Sequence, residues 1–294
     1  MSFKFLRPED VRRLESYEFA ARLLAEGWLT GRHRSRLRGA STEFHEYRAY
    51  SPGDAPSLVD WRVFARTDRH SVKTFEQETN LECHLLVDSS SSMGFAGGAA
   101  VTKLEFASYF SAALAWLVVR GTDRVSLQIF DDRVREFLPP GSTRQHLNQV
   151  LTTLERNVPR GPTSLAAALG RAALQLRRRG TVIVLSDFYD DPAEIFTALN
   201  PFIHRGFRIH LFHLLSPEEW ELGDGALSRY EDMESAAHIT LHPRAIAESY
   251  RETLQTHLTR LRTLSAQRQI DYTVARTDGT FWSLFDRVAG EIGK

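Results

Sequence analysis

The chain has 294 residues, with 42% hydrophobic, 11% aromatic and 25% charged positions, which is the profile of a globular protein whose core is large enough to need no staples. Lys plus Arg and Asp plus Glu each number 37, so global charge gives no support for a polyanion binder, and no nucleic-acid partner is expected. The single cysteine, Cys83, excludes an internal disulfide framework and a multi-cysteine metal knuckle, and no apolar run approaches the roughly 18–20 residues of a membrane span.

The opening stretch is charged throughout and lacks the apolar core of a secretory signal. The expected setting is therefore reduced and cytoplasmic, with no transmembrane segment. Residues 9–29 read as a helix, carrying Val11, Leu14, Tyr17, Phe19, Leu23 and Leu24 near helical spacing. Two β-like runs, EFHEYRAY and SVKTFEQE, flank a turn segment rich in Pro, Gly, Asp and Ser. Residues 1–80 are thus expected to form an N-terminal helix and β-containing module ahead of a main domain at 81–294.

From residue 82 strands and helices alternate. CHLLVD is a short apolar strand ending in Asp88, followed by a helix at 104–120 and the strand RVSLQIF. A short strand (134–138), a helix (144–156) and a second helix (165–179) come next; Arg177, Arg178 and Arg179 suit the negative end of that helix. TVIVLSD is a further apolar strand, and Asp191, Pro192 and Glu194 mark a helix start as cap, first position and capping-box partner. The strand RIHLFHLL, an insertion near 216–242 with weak β character, a long amphipathic helix, the strand IDYTVA and a last helix complete the chain. Such alternation implies a doubly wound, mostly parallel sheet with helices on both faces, and ligands bind at the carboxyl ends of its strands.

That is where the informative residues fall. Asp88, Ser90 and Ser92 follow the first buried strand at alternate positions, so in an extended loop one carboxylate and two hydroxyls point the same way. Thr163 precedes a helix, and Asp187 ends a later strand. All five are oxygen donors, which suit a hard divalent cation such as Mg²⁺ or Mn²⁺. Five groups are few for about six positions, which leaves room for water and for an outside carboxylate.

VDSSSSMG, GPTSL and LSDF in this order resemble the metal-ion-dependent adhesion site of von Willebrand factor A domains. Upstream, the segment carrying Glu43, Phe44, Arg48, Tyr50, Gly53, Asp54, Asp60, Trp61, Ala65, Arg66 and Glu78 resembles the bacterial domain-of-unknown-function 58 family, as do stretches near the end of the chain. The chain departs from that family at Ser57, where an Arg is common. The resemblance implies a metal-dependent protein–protein interaction module rather than an enzyme, working beside a MoxR-type AAA+ ATPase in chaperone-like maturation or assembly. It also implies that Ser90, Ser92 and Thr163 touch the metal, that Asp88 and Asp187 act directly or through water, and that a partner Asp or Glu supplies the last ligand.

Two other classes compete. No nucleophile elbow, phosphate loop or zinc helix is present, so the best enzymatic alternative is a metal-assisted phosphohydrolase built on Asp88. Arg32, Arg34, Arg36 and Arg38 alternate in GRHRSRLRG and would face one way in an extended segment, as a surface for acidic protein or for a polyanion such as nucleic acid. An acid of the N-terminal module (Glu43, Glu46, Asp54 or Asp60) could occupy the open metal position.

Overall fold

The computed structural model describes residues 3–14, 17, 44–49, 60–67, 71–75, 82–223, 225, 227–235 and 237–290. The chain divides into two compact units, Met1–Thr30 together with Leu81–Lys294, and Gly31–Asn80. In the smaller unit β1 (Phe44–Ala49) pairs antiparallel with β2 (Ser71–Phe75). Between them lies α2 (Trp61–Thr67), an element the turn-rich composition did not announce. It starts at Asp60, whose carbonyl accepts from the Phe64 amide.

The larger unit opens with α1 (Pro8–Leu14). Phe5, Leu6 and Leu14 pack into the same core as the central sheet, which is why this segment belongs with the main unit. Of the helix expected over 9–29, residues 15–16 and 18–29 lie outside the described residues.

Six strands form that sheet: β3 (Glu82–Asp88), β4 (Arg124–Phe130), β5 (Val134–Gly141), β6 (Thr181–Ser186), β7 (Arg208–Leu215) and β10 (Asp271–Arg276). Their order is β10-β7-β6-β3-β4-β5, parallel except for the antiparallel edge strand β5. Period-two alternation divides the side chains between two cores. Cys83, Leu85, Val87, Ile183, Leu185, Phe212 and Leu214 face one helical layer, whereas Leu86, Val182, Val184, Ile209 and Leu211 face the other. The first layer contains α1, α3 (Lys103–Arg120), α4 (Arg144–Arg156) and α9 (Trp282–Gly290). The second contains α5 (Leu165–Gln175), α6 (Pro192–His204) and α8 (Pro243–Gln267). The doubly wound α/β architecture read from the sequence is therefore the one observed.

Because α3 runs from β3 to one side of the sheet and later strands build on the other, the chain reverses its winding between β3 and β6. A crevice opens outside their carboxyl ends at such a switch point.

Local departures have physical causes. α5 stops at Gln175, short of residue 179, and its terminal carbonyls are met by the Arg205 guanidinium, which donates to Ala173 at 2.6 Å, to Leu176 and to Arg177 at 3.1 Å. The arginine run 177–179 therefore lies beyond the helix rather than in its last turn. Asp191 caps α6 through the Ala193 amide. Full capping boxes form instead at Thr102/Glu105 on α3 and at Ser216/Glu219 on the short α7 (Pro217–Trp220). The 216–242 segment contains α7 and a hairpin of β8 (Ser228–Glu231) with β9 (His238–Leu241). Among the described residues no helix is long and apolar enough to cross a membrane.

Candidate functional site

Asp88 is the last residue of β3 and is fully buried. One carboxylate oxygen accepts from the Ser90 amide at 2.9 Å, and the other accepts from the Ser186 hydroxyl at 2.6 Å. After the strand the chain turns through a single 3₁₀ turn, Ser91–Gly94. This turn, rather than the extended loop expected, brings the Ser90 and Ser92 hydroxyl oxygens to 3.1 Å of each other.

The loop carrying Thr163 is clamped to this serine loop by backbone. Ser91 N–H donates to the Gly161 carbonyl, and Arg160 N–H donates to that of Ser89, both at 2.9 Å. Gly161 adopts φ 75°, the left-handed region, where a Cβ would also come within 3.2 Å of both Arg135 and Asp131. Asp131, buried and ion-paired with Arg135, accepts the Ser164 amide through its carbonyl at 3.4 Å. Its side chain thus serves the Arg135 pair and its backbone the Thr163 loop. The Asp190 carboxylate accepts the Leu165 amide at 2.7 Å and so caps α5 from outside the helix.

Asp187 follows β6 and is 1% exposed. Phe188 beside it holds φ 47° while wholly buried, a costly conformation for a non-glycine residue. The strain is held by two bonds: the Phe188 amide donates to the Ser186 hydroxyl at 3.1 Å, and His257 donates to the Phe188 carbonyl at 2.8 Å. Ser186 thereby links the loop after β6 to Asp88.

Sequence reading missed two charged groups at this edge. Lys103, 0% exposed at the first position of α3, donates to Asp187 at 2.7 Å and to Glu219 at 2.5 Å. Burial alone would lower its pKa, but the two carboxylates outweigh that and raise it, so it stays an ammonium. A positive charge in a helix's first turn opposes the dipole, and that conflict was the available signal. Glu234, between β8 and β9, accepts from both the Thr163 amide and the Thr163 hydroxyl, each at 2.9 Å. Nothing in local spacing pointed to it.

The electrostatic outcome is uneven. Burial, and then the neighbouring charge of Asp187, push the Asp88 carboxyl up to about 7 despite the bonds from Ser186 and Ser90. A buried carboxylate raised by a second carboxylate is an arrangement that a cation relieves. The Ser90–Ser92 and Thr163–Glu234 oxygens are hydrogen-bonded at 3.1 and 2.9 Å, and oxygen is the donor that Mg²⁺ takes. The donor set is hard oxygen throughout and fits such an ion. Three or more His, Cys, Asp or Glu side chains do not converge on a metal site among the described residues, so the fit rests on hydroxyls with two carboxylates. Arg32, Arg34, Arg36 and Arg38 lie outside the described residues, as do Glu43, Asp54 and Ser57.

His210 and His213 are buried, on opposite faces of β7 as their odd spacing requires. His213 bonds the Tyr272 hydroxyl at 2.6 Å, and His210 lies 3.4 Å from Asp271. They are separate core groups rather than a shared ligand pair.

The strand order, the antiparallel edge strand and the acidic serine loop at the switch point define a von Willebrand factor A-like α/β domain. Within that class, the chain belongs to the family described as protein of unknown function DUF58, whose pattern matches residues 46–263. Uncharacterized proteins of Mycobacterium tuberculosis and Mycobacterium bovis are each 30% identical over 232 residues, spanning 78% of this chain and 72% of theirs. Among solved structures, the conserved hypothetical protein BatB of Bacteroides thetaiotaomicron is 17% identical at a TM-score of 0.50, covering 72% of this chain and 97% of that one. A von Willebrand factor type A protein of Catenulispora acidiphila is 14% identical at a TM-score of 0.42, covering 76% and 45%.

Proposed function

We propose that this protein is a protein-binding module whose contact runs through a divalent cation, Mg²⁺ or Mn²⁺, and that it acts by binding rather than by turnover. The observation that carries this reading is Asp88, a fully buried carboxylate beside a second one, with the paired hydroxyls of Ser90 and Ser92 next to it. Ser90, Ser92 and Thr163 would hold the ion, with Asp88 and Asp187 directly or through water. When bound, the cation supplies a positive point charge to which a partner's Asp or Glu can ligate.

The remaining roles belong to the chain. Asp88 orders the serine loop through the Ser90 amide, and Ser186 keeps Asp88 aimed. Lys103 balances Asp187, leaving the site with less net negative charge than two free carboxylates would give it. A weakly negative site binds its ion loosely and gains from an added carboxylate, a property suited to reversible association. The partner in this reading is a MoxR-type AAA+ ATPase and the setting is cytoplasmic, as the family resemblance suggests; the buried free thiol of Cys83 suits a reducing compartment.

Calorimetric titration of Mg²⁺ and Mn²⁺ into chelator-stripped protein tests the reading, beside Asp88→Ala and Asp187→Ala. Heat in the parent that is lost in both folded variants supports it. Equal heat in all three would remove the ion from this site. Capture of a MoxR-type ATPase with and without chelator then tests the partner, and chelator-insensitive capture would separate binding from the ion.

A further inference from the structure

Two of the proposed metal hydroxyls, Ser90 and Ser92, face each other, but the third, Thr163, faces a carboxylate of its own chain. Glu234 is 71 residues away and meets the Thr163 amide and hydroxyl with both of its oxygens. Its presentation is organised. The Asp232 side chain accepts from the Glu234 amide at 2.9 Å and from the Ser235 hydroxyl at 2.5 Å, and the Asp232 amide donates to Ala237 across the turn at 2.9 Å. The turn is thus folded around Asp232 so that Glu234, and not Asp232, points at Thr163.

The hairpin that carries Glu234 is poorly anchored. It has two strands of four residues, and an isolated two-stranded hairpin is marginal in water. Leu227, Met233 and Ile239 on or beside it are 59%, 46% and 59% exposed. Together with Ser92, Tyr189 and Glu219, its residues Tyr230, Asp232 and Met233 line a cleft of about 620 Å³. Moving the hairpin would therefore uncover the serine loop without disturbing the sheet.

We propose that Glu234 is a ligand the chain offers to its own cation site, so that the β8–β9 hairpin closes the site until an outside Asp or Glu displaces it. The inference rests on the cation reading above, with Asp88 and Asp187 acting through water because three acidic side chains do not converge on one point among the described residues, and it adds the competitor a partner must replace. The Thr163 hydroxyl donates to Glu234 at 2.9 Å, so a carboxylate already stands beside one of the proposed metal hydroxyls and could turn one oxygen to an ion held there. A partner carboxylate would then take over a position already shaped for a carboxylate, and the released hairpin would widen the cleft for the rest of the partner.

Mn²⁺ is the probe, titrated into the chelator-stripped full chain by calorimetry with water-proton relaxation followed in parallel. Glu234→Gln keeps a side chain able to accept from the Thr163 amide but removes the charge. It is expected to weaken Mn²⁺ binding by about tenfold or more and to raise the relaxation per bound ion, because water replaces the carboxylate. In Glu234→Ala, excess acetate is expected to restore Mn²⁺ affinity, while the parent does not respond. Equal affinity and relaxation in the parent and Glu234→Gln, or the same acetate response in the parent as in Glu234→Ala, would overturn the proposal. If that happened while Asp88→Ala still abolished binding, the cation reading would survive and only the role of Glu234 would fall. If the parent took up no Mn²⁺, both would fall.

Discussion

Asp88→Asn isolates the charge that the whole site is built around. The substitution is nearly isosteric, and the amide oxygen can still accept from the Ser90 amide as the carboxylate does at 2.9 Å. Burial and Asp187 push the native carboxyl from 3.8 up to about 7. At about 1.4 kcal/mol per pH unit, that interval means that ionised Asp88 destabilises the metal-free fold by about 4 kcal/mol. The residue is 0% exposed, so solvent does not discount the figure. The sign follows from proton uptake. Between pH 4 and 7 the native state holds a proton that the unfolded chain has lost, so the contribution is fully present below about pH 4 and is lost as pH rises through about 7. Against this, the new amide disturbs the bond now donated by Ser186 at 2.6 Å, at a cost of about 1 kcal/mol. In urea unfolding with chelator, Asp88→Asn is therefore expected to gain stability over the parent by about 3 kcal/mol at pH 8 and to lose that gain toward pH 4. Added Mg²⁺ should stabilise the parent alone. A stability difference that stays flat from pH 5 to 8 would refute the argument, because it would mean that Asp88 ionises like an exposed carboxyl.

The parent's own pH profile carries an opposing trend. Burial lowers His84 to about 4, His210 to about 3 and His213 well below its ordinary value, so these groups stay neutral in the fold. Their contribution is present above about pH 6.5 and is lost as pH falls toward 4; proton uptake on unfolding at pH 5, measured from the slope of stability against pH, should fall by about one in His210→Phe. Lys103→Met strips the ammonium from buried Asp187 and partly buried Glu219 and should cost about 3–5 kcal/mol without metal, read from urea midpoints. In the same variant Mn²⁺ should bind more tightly, and weaker binding by a folded variant would contradict the balancing role given to Lys103. Gly97 holds φ 47°, and a Cβ there would enter Ser216 and Phe95; Gly97→Ala should cost more than about 1 kcal/mol in chemical unfolding. Mg²⁺ at a hundred times its Kd should stabilise the parent by about 2.7 kcal/mol, seen as a rise in Tm that vanishes in Asp88→Ala.

Much of the architecture was legible because it is written in short-range patterns. The apolar runs CHLLVD, RVSLQIF and TVIVLSD are strands buried on both faces, and their period of two sets which core each residue enters. Asp88, Ser90 and Ser92 stood out as oxygen donors directly after a buried strand, but it is a 3₁₀ turn, not an extended loop, that brings the Ser90 and Ser92 hydroxyls together. The end of α5 is not written in its own residues, because its last carbonyls are answered by Arg205, which is 29 residues beyond Leu176. The same holds at the site. Lys103 meets Asp187 across 84 residues, Ser186 meets Asp88 across 98, and Glu234 meets Thr163 across 71. Sequence by itself determined the layers, the strand ends and the oxygen donors that stand on them, because propensity and periodicity act within a few residues. Only the tertiary structure decided which charges answer one another, because a buried carboxylate takes its partner from whatever the packed sheet brings within hydrogen-bond reach, however far along the chain that partner lies.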